Sequence, residues 1–543
     1  RRMMCFNGRL LFRKKDAATG KEIFSSFSPD ASINIYAPEY WHSDAWDALA
    51  YGRDYDFSKP FFEQFRELLS EVPVFARSVE GLINSDYSDQ SGWLKNCYLC
   101  FCADTTENSA YLLRVDHIKD SFDLYDARST ESSYESAGIN GSHRAFFSMD
   151  CEQCTDIWFS RDLRGCTNCF GCVNLRNKSY YIFNEPYSKE EYGAKIASFS
   201  VSSYAALSGM RERAYEFWQG FPVKYFHGFR AIVSDGEFLQ NVKNTHHAYS
   251  VYDAENITYS QIGWRNATDA YDCTNFGLVA SQIYECVTAG IGANGLKFCW
   301  ECWINVRDLE YCAFSNGSSN CFGCVGLRKK EYCIFNKQYS KEEYFALREK
   351  IIRHMNEMPY TDTRGRIYRY GEFFPPAFSP FAYNETIAQD FFPLIKEQAE
   401  QKGYLWRESE TRQYDITVQA RDLPDHIKDA PDSILKEIIG CLSCGRAYRI
   451  IQMELEFLQK MRLPLPRMCP DCRYKERVKH RNPPRFYHRR CTCGGSTSSK
   501  GEYQNQSVHP HGSSPCSTEF ETSYAPNRSE IVYCESCYNT ESV

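Results

Sequence analysis

Four cysteines near the C-terminal end have the spacing of a metal site. Cys441-x-x-Cys444 is followed, 24 residues later, by Cys469-Pro-Asp-Cys472. In each CxxC knuckle a tight turn delivers two thiolates to one ion, and two knuckles complete a tetrahedral Cys₄ shell with S–Zn distances of about 2.3 Å. Four thiolates leave no position for a reactive water, so the zinc expected here is structural. A second zinc is expected from Cys491-x-Cys493 and Cys534-x-x-Cys537, although the 40 residues between them are many for one knuckle pair. Cys516, His509 and His511 lie in that gap and could substitute as ligands, while His509-Pro-His511 reads first as a polar loop.

Directly after the first knuckle pair comes a basic run. Arg473, Lys475, Arg477, Lys479, Arg481, Arg485, Arg489 and Arg490 stand among Tyr474, Phe486 and Tyr487, with one acid, Glu476. Guanidinium groups pair with phosphate and aromatic faces stack on unpaired bases, so the segment 473–490 is a candidate contact for RNA or single-stranded DNA. The chain as a whole carries a net charge of −7, so any such binding rests on a local patch. The alternatives are a solvated basic helix and a protein-contact face.

Other chemistry is sparse. The sequence holds no GxSxG, P-loop, HExxH or GxGxxG before a helix, and no catalytic residue is assigned. Trp41, His42 and Asp44 could line a carbohydrate site, or simply form an aromatic core. Paired cysteines recur at Cys151/Cys154 with Cys169/Cys172, and at Cys299/Cys302 with Cys321/Cys324. They read as small buried packing residues rather than ligands. Cys166, Cys169 and Cys172 have iron–sulfur spacing, but Ser318 takes the first of these places in the second copy, which argues against a cluster.

The segment Cys441–Arg473 resembles the "probable zinc-ribbon" family, through Gly445, Tyr448, the stretch Glu454–Phe457, Pro466 and the closing Cys469, Cys472 and Arg473. The resemblance implies a small zinc-stabilised fold with all four cysteines as ligands. The rest of the chain is similar to Cys- and aromatic-rich repeat proteins of candidate-phyla bacteria, which implies architecture and no activity.

The elements that must carry these residues are repetitive. Cys169–Tyr192 matches Cys321–Tyr344 at an offset of 152, and each copy ends in YSKEEY. There Ser188 with Glu191, and Ser340 with Glu343, form capping boxes that open helices. Short β-prone clusters recur about every 11–13 residues within each copy. They suggest a duplicated parallel β-solenoid with two strands to a turn of about 23 residues, the alternative being an antiparallel sandwich. A third repeat aligns Asn7, Phe12, Lys14 and Lys15 with Asn482, Tyr487, Arg489 and Arg490. After a 22-residue insertion it aligns Ile35-Tyr36 with Val532-Tyr533. Its counterparts of Cys491, Cys493, Cys534 and Cys537 are Asp16, Ala18, Ala37 and Tyr40, so all four thiols are missing together. Residues 1–45 therefore read as a zinc-module remnant, and the start at Arg1 as a truncation.

The expected fold is mainly β: helical linker 46–90, first copy 91–200, helical connector 201–238, second copy 239–352, aromatic and Pro-rich connector 353–440, and zinc module 441–543. A helix is expected over 387–402. With 38 Tyr and 37 Phe the composition favours sheet, and no apolar run is long enough to span a membrane. The 26 cysteines, in a chain of this length with zinc knuckles, point to a reduced, cytoplasmic setting. The leading function is a non-enzymatic, zinc-stabilised nucleic-acid-binding scaffold. A protein–protein scaffold and a carbohydrate-active β-helix enzyme are the alternatives.

Overall fold

Over the two copies, nearly every third residue is bent into the left-handed region. Trp93, Asn96, Leu99, Cys102, Thr105 and Asn108 all have φ between 46° and 53°. Asn and Asp tolerate this conformation best, and they form columns along the chain. Asn84 donates to Asn96 (3.1 Å), Asn96 to Asn108 (3.0 Å) and Asn108 to Asp120 (3.0 Å). The repeated bend turns the next side chain inward.

Parallel sheets result. In the computed structural model, which describes residues 2–275, 277–408 and 414–542, a 12-stranded sheet runs from Val79–Glu80 to Glu185–Pro186, and a 13-stranded sheet from Gly228–Ile232 to Lys337–Gln338. Tyr98 pairs with Ala110, Ala110 with Phe122, and Phe122 with Tyr134, a stagger of 12 residues. In the second sheet the stagger is 12 at Gly236↔Ala248 and 13 across Thr268↔Ser281↔Asn294↔Arg307. Neighbouring strands are thus about 12 residues apart, not the 23 expected, and they pair in parallel, not as in an antiparallel sandwich. The aromatic clusters marked this whole period.

Inward positions explain the repeat cysteines. Ser121 Oγ donates to Lys119 O (2.7 Å) and accepts from Ser133 N (3.0 Å). One column position earlier but one, Cys97 Sγ donates to Lys95 O and Thr106 O at 3.5 and 3.4 Å. Thiol and hydroxyl therefore alternate in one role, that of a small donor beneath a corner. Cys151, Cys154, Cys169, Cys172, Cys299, Cys302, Cys321 and Cys324 are all buried.

The helices exchange partners between sheets. Phe61–Glu71 precedes the first sheet but packs on the second, where the Phe61 ring meets Tyr311, Phe322 and Phe335 at 5.2–5.4 Å. Tyr204–Gln219 precedes the second sheet but packs on the first, with Trp218 Nε1 donating to Phe159 O (3.1 Å). Each fully buried aromatic adds roughly 1.5–3 kcal/mol, so the exchange fastens the sheets together. Lys189–Ser198 and Lys341–Glu357 both open on the capping boxes read at Ser188 and Ser340. The helix expected over 387–402 is two short ones, Ile387–Phe391 and Lys396–Gln401, because Pro393 lacks an amide donor and displaces Phe392 from helical geometry. Residues 409–413 of the 353–440 connector lie outside the described residues.

The two ends of the chain form matching modules. Hairpins Phe12–Lys15/Glu22–Ser25 and Tyr487–Arg490/Glu519–Thr522 are both antiparallel. A strand follows each: Ile35–Tyr36 pairs in parallel with Val74–Phe75, and Val532–Tyr533 with Val223–Lys224. Helices Pro38–His42 and Glu535–Glu541 close them. Even single hydrogen bonds correspond: Ala17 N to Ile35 O (2.9 Å) and Thr492 N to Val532 O (3.0 Å). No helix among the described residues is long and apolar enough to cross a membrane.

Candidate metal centres and basic surfaces

Cys441 follows strand Ile439–Gly440, and the chain turns through Cys444 and Gly445 into the antiparallel strand Ala447–Tyr448. Cys469 caps helix Pro470–Val478, and Cys472 lies in its first turn. The four Sγ atoms lie within 4.8 Å of one another. Cys444 and Cys469 are 3.8 Å apart, the edge of a tetrahedron with arms of about 2.3 Å. The amide of Cys469 donates to Cys441 Sγ (3.2 Å), and the helix N-terminus favours thiolate. Burial disfavours the Cys444 thiolate, but Arg446 and neighbouring hydrogen bonds outweigh it and bring its pKa to about 6. Cys441, Cys444, Cys469 and Cys472 fit one ion.

The tail repeats this knuckle with one substitution. Cys534 caps helix Glu535–Glu541, its amide donating to Cys491 Sγ at 3.2 Å, and Cys537 lies one turn in. The fourth member is Cys516, 4.0 Å from Cys534, and not the expected Cys493. Cys493 belongs to a neighbouring group with His509, His511 and Cys537. His509, the supposed loop residue, is 3% exposed. Among the described residues there are therefore three clusters able to hold a metal ion, and their thiolate and imidazole donors suit zinc.

The basic run divides by face. Arg473, Arg477 and Arg481 point into the first sheet and are buried. Arg473 pairs with Asp123 (2.8 Å) and Glu454 (2.9 Å), Arg477 with Asp123 (2.9 Å), and Arg481 with Asp126 (2.8 Å). Glu454 also accepts from Tyr111 (3.2 Å); burial pushes its pKa up to about 7 against the pull of Arg473. Arg473 and Arg477 clamp the helix Pro470–Val478 to the sheet, Arg481 adds a third ion pair three residues past its end, and all three guanidinium groups are spent on these buried pairs. Lys475, Lys479, Arg485 and Arg490 stay exposed, and Arg489 donates to the carbonyls of Tyr524 and Ala525.

Lys475 instead faces a groove of about 1590 Å³ whose opposite wall is the N-terminal hairpin, with Arg13, Lys14 and Lys15. Phe12, Phe24 and Tyr87 also line it. Arg13 stacks over Phe24 at 4.7 Å, and Lys14 is held by the carbonyls of Ser28, Pro29 and Ala31. Arg446 and Arg9 both reach Asp471 in the groove floor.

The aromatic segment at Trp41 is structural. Trp41 is fully buried and donates to Pro73 O (3.1 Å), and Trp46 donates to Trp41 O. Sequence reasoning missed two buried carboxyls, Asp89 and Glu301, raised by burial to about 6 and about 7. Glu301 accepts from Thr288 (2.9 Å) and Trp303 (2.9 Å), and neither carboxyl lines the groove. Nothing in their sequence neighbourhoods distinguishes them.

No protein-family model matches the chain, and no curated protein matches it. Among solved structures it has a likeness to a "putative acetyltransferase" from Desulfovibrio desulfuricans G20, at 11% identity. That match covers 50% of this chain and 84% of the other with a TM-score of 0.11, too low to carry an argument.

Proposed function

We propose that this is a zinc-stabilised, non-enzymatic scaffold that binds single-stranded nucleic acid in the groove between its N-terminal hairpin and its zinc helix. In this reading the sheets are two copies of a β-solenoid, 91–200 and 239–352. The modules 1–45 and 441–543 flank them, with 46–90, 201–238 and 353–440 as connectors, in a cytoplasmic protein. The observation that carries it is that Lys475, which also meets Asp471 (3.0 Å), and the hairpin cations Arg13, Lys14 and Lys15, distant in sequence, line one groove together with Phe12, Phe24 and Tyr87. Cations track a phosphate backbone while aromatic faces stack on bases. The contact set differs from the whole run 473–490: Arg13, Lys15 and Lys475 replace the buried arginines.

Anisotropy titration of a labelled single strand with the full chain tests it. Three engaged phosphates, one for each of Arg13, Lys15 and Lys475, imply a loss of roughly 20-fold between about 50 and about 200 mM salt. Arg13→Glu with Lys475→Glu should abolish binding at moderate salt, whereas Lys479→Glu with Arg490→Glu should leave most of it. No binding at low salt, or equal effects of the two pairs, would refute the groove.

A second reading has its own observation. Tyr259, Tyr271 and Tyr284 form an exposed ladder on the second sheet, with ring centroids 5.5 and 5.7 Å apart. Such a ladder suits a protein partner. Capture of a protein that survives high salt and is lost in Tyr271→Ala would favour it.

A further inference from the structure

The second and third cysteine clusters meet at one atom. Cys537 Sγ belongs both to the set with Cys491, Cys516 and Cys534 and to the set with Cys493, His509 and His511. We infer that Cys537 is a bridging thiolate and that the tail holds two divalent metal ions in one dinuclear centre of seven ligands. The chain would then bind three ions in all. This goes beyond the binding role above and does not depend on it.

The surroundings of both histidines support the assignment. His509 directs Nδ1 at Cys493 Sγ (3.4 Å), while its Nε2 meets Glu541 (2.9 Å). His511 directs Nε2 at Cys537 Sγ (3.2 Å), while its Nδ1 meets Ser514 O (2.7 Å). One ring nitrogen toward the cluster and the other on a carboxylate or carbonyl is how metal-bound imidazoles are oriented. Glu541 is itself held by Tyr503 (2.9 Å) and the amides of Gln506 and Ser507 (2.8 and 3.1 Å). A carboxylate so fixed, serving one buried imidazole, has little purpose in a mere polar loop.

Charge and coordination also balance. Five thiolates and two neutral imidazoles around two dications leave a net charge of −1. Sharing Cys537 gives each ion four protein donors, the number a closed structural site takes. Without sharing, one ion would keep only three.

Elemental analysis of the full chain purified under reducing conditions should find three zinc ions, against two for separate knuckles. His509→Ala with His511→Ala should lower the count to two, and Cys537→Ala to one. Where the second variant fails to fold, ¹¹³Cd substitution of the native chain decides. A bridging sulfur predicts two mutually coupled cadmium resonances beside one uncoupled signal. Two ions in the native chain, or three uncoupled resonances, would overturn the bridge.

Discussion

The two ends of the chain build the same hairpin, strand and helix, and hold them by different means. In the N-terminal module six residues, 16–21, join the hairpin strands, whereas 28 residues, 491–518, join them in the tail. The short turn is fixed by one side chain: Asp16, 2% exposed, accepts from Ala18 N (3.1 Å) and Thr19 Oγ1 (2.6 Å). Trp41, Ile35 and Phe27 supply the core behind it. A long loop costs more entropy to close and carries too little apolar surface to fix itself. There the position of Asp16 is Cys491, and the loop contributes Cys516, His509 and His511 to two metal clusters. The same backbone thus accepts a carboxylate turn or a long loop whose Cys and His side chains are gathered into clusters able to hold metal. No group able to hold an ion lies in residues 2–45 among those described.

The largest break in this comparison comes from removing metal. Cys469→Ser should unfold the proposed metal knuckle and release its helix from the first sheet, seen as loss of one bound metal ion and protease cleavage near residue 470, with the N-terminal module intact. A folded, fully loaded tail would contradict the Cys₄ assignment. Next in size is Arg473→Leu, which leaves Asp123 and Glu454 buried without their main partner. It should cost about 3–5 kcal/mol by urea denaturation, and a loss below 1 kcal/mol would show that the clamp is incidental.

Acid should act next on His480, which lies just past that helix with its ring against Tyr215 (4.7 Å). His480 has its pKa lowered to about 4 by burial and by Lys479 and Arg161, against an ordinary 6.5. Its neutral form is favoured in the fold, so stability is complete above pH 6.5 and falls as pH drops toward 4. The shift corresponds to at most about 3 kcal/mol. His480→Gln should flatten that part of the stability profile, and an unchanged profile would place the acid sensitivity elsewhere. The smallest effect belongs to the metal-free end: Asp16→Ala should cost about 1–2 kcal/mol, the loss expected for a buried turn hydrogen-bonded by one side chain. Insensitivity there would mean that the core alone fixes the turn.

How much of this was legible depends on whether a signal is local. Cys441, Cys444, Cys469 and Cys472 were complete because a knuckle is a matter of spacing alone. In the tail, Cys491, Cys534 and Cys537 do group together as their spacing suggests, but Cys493 groups with His509 and His511, and Cys516 takes its place. The ligands that complete each set lie in an insertion with no counterpart, so alignment with residues 1–45 could not supply them. The basic run misled for a related reason. Arg473 and Arg477 share one helix face, Arg481 follows at the same spacing just past the helix end, and their partners Asp123 and Asp126 lie some 350 residues away. A four-residue spacing behind a helix-opening CPDC was the available warning. The 11–13-residue spacing of the β-prone clusters is the whole stagger between paired strands and not half of a 23-residue turn, and the every-third-residue left-handed bends behind it leave no mark that periodicities of 2 or 3.6 detect.

Hydrogen–deuterium exchange on the full chain, with and without a chelator, tests the metal-built tail against its metal-free twin most directly. Residues 487–522 and 532–541 should lose protection when metal is removed, while residues 12–25 and 35–42 keep theirs. Equal loss at both ends, or no loss at either, would contradict it.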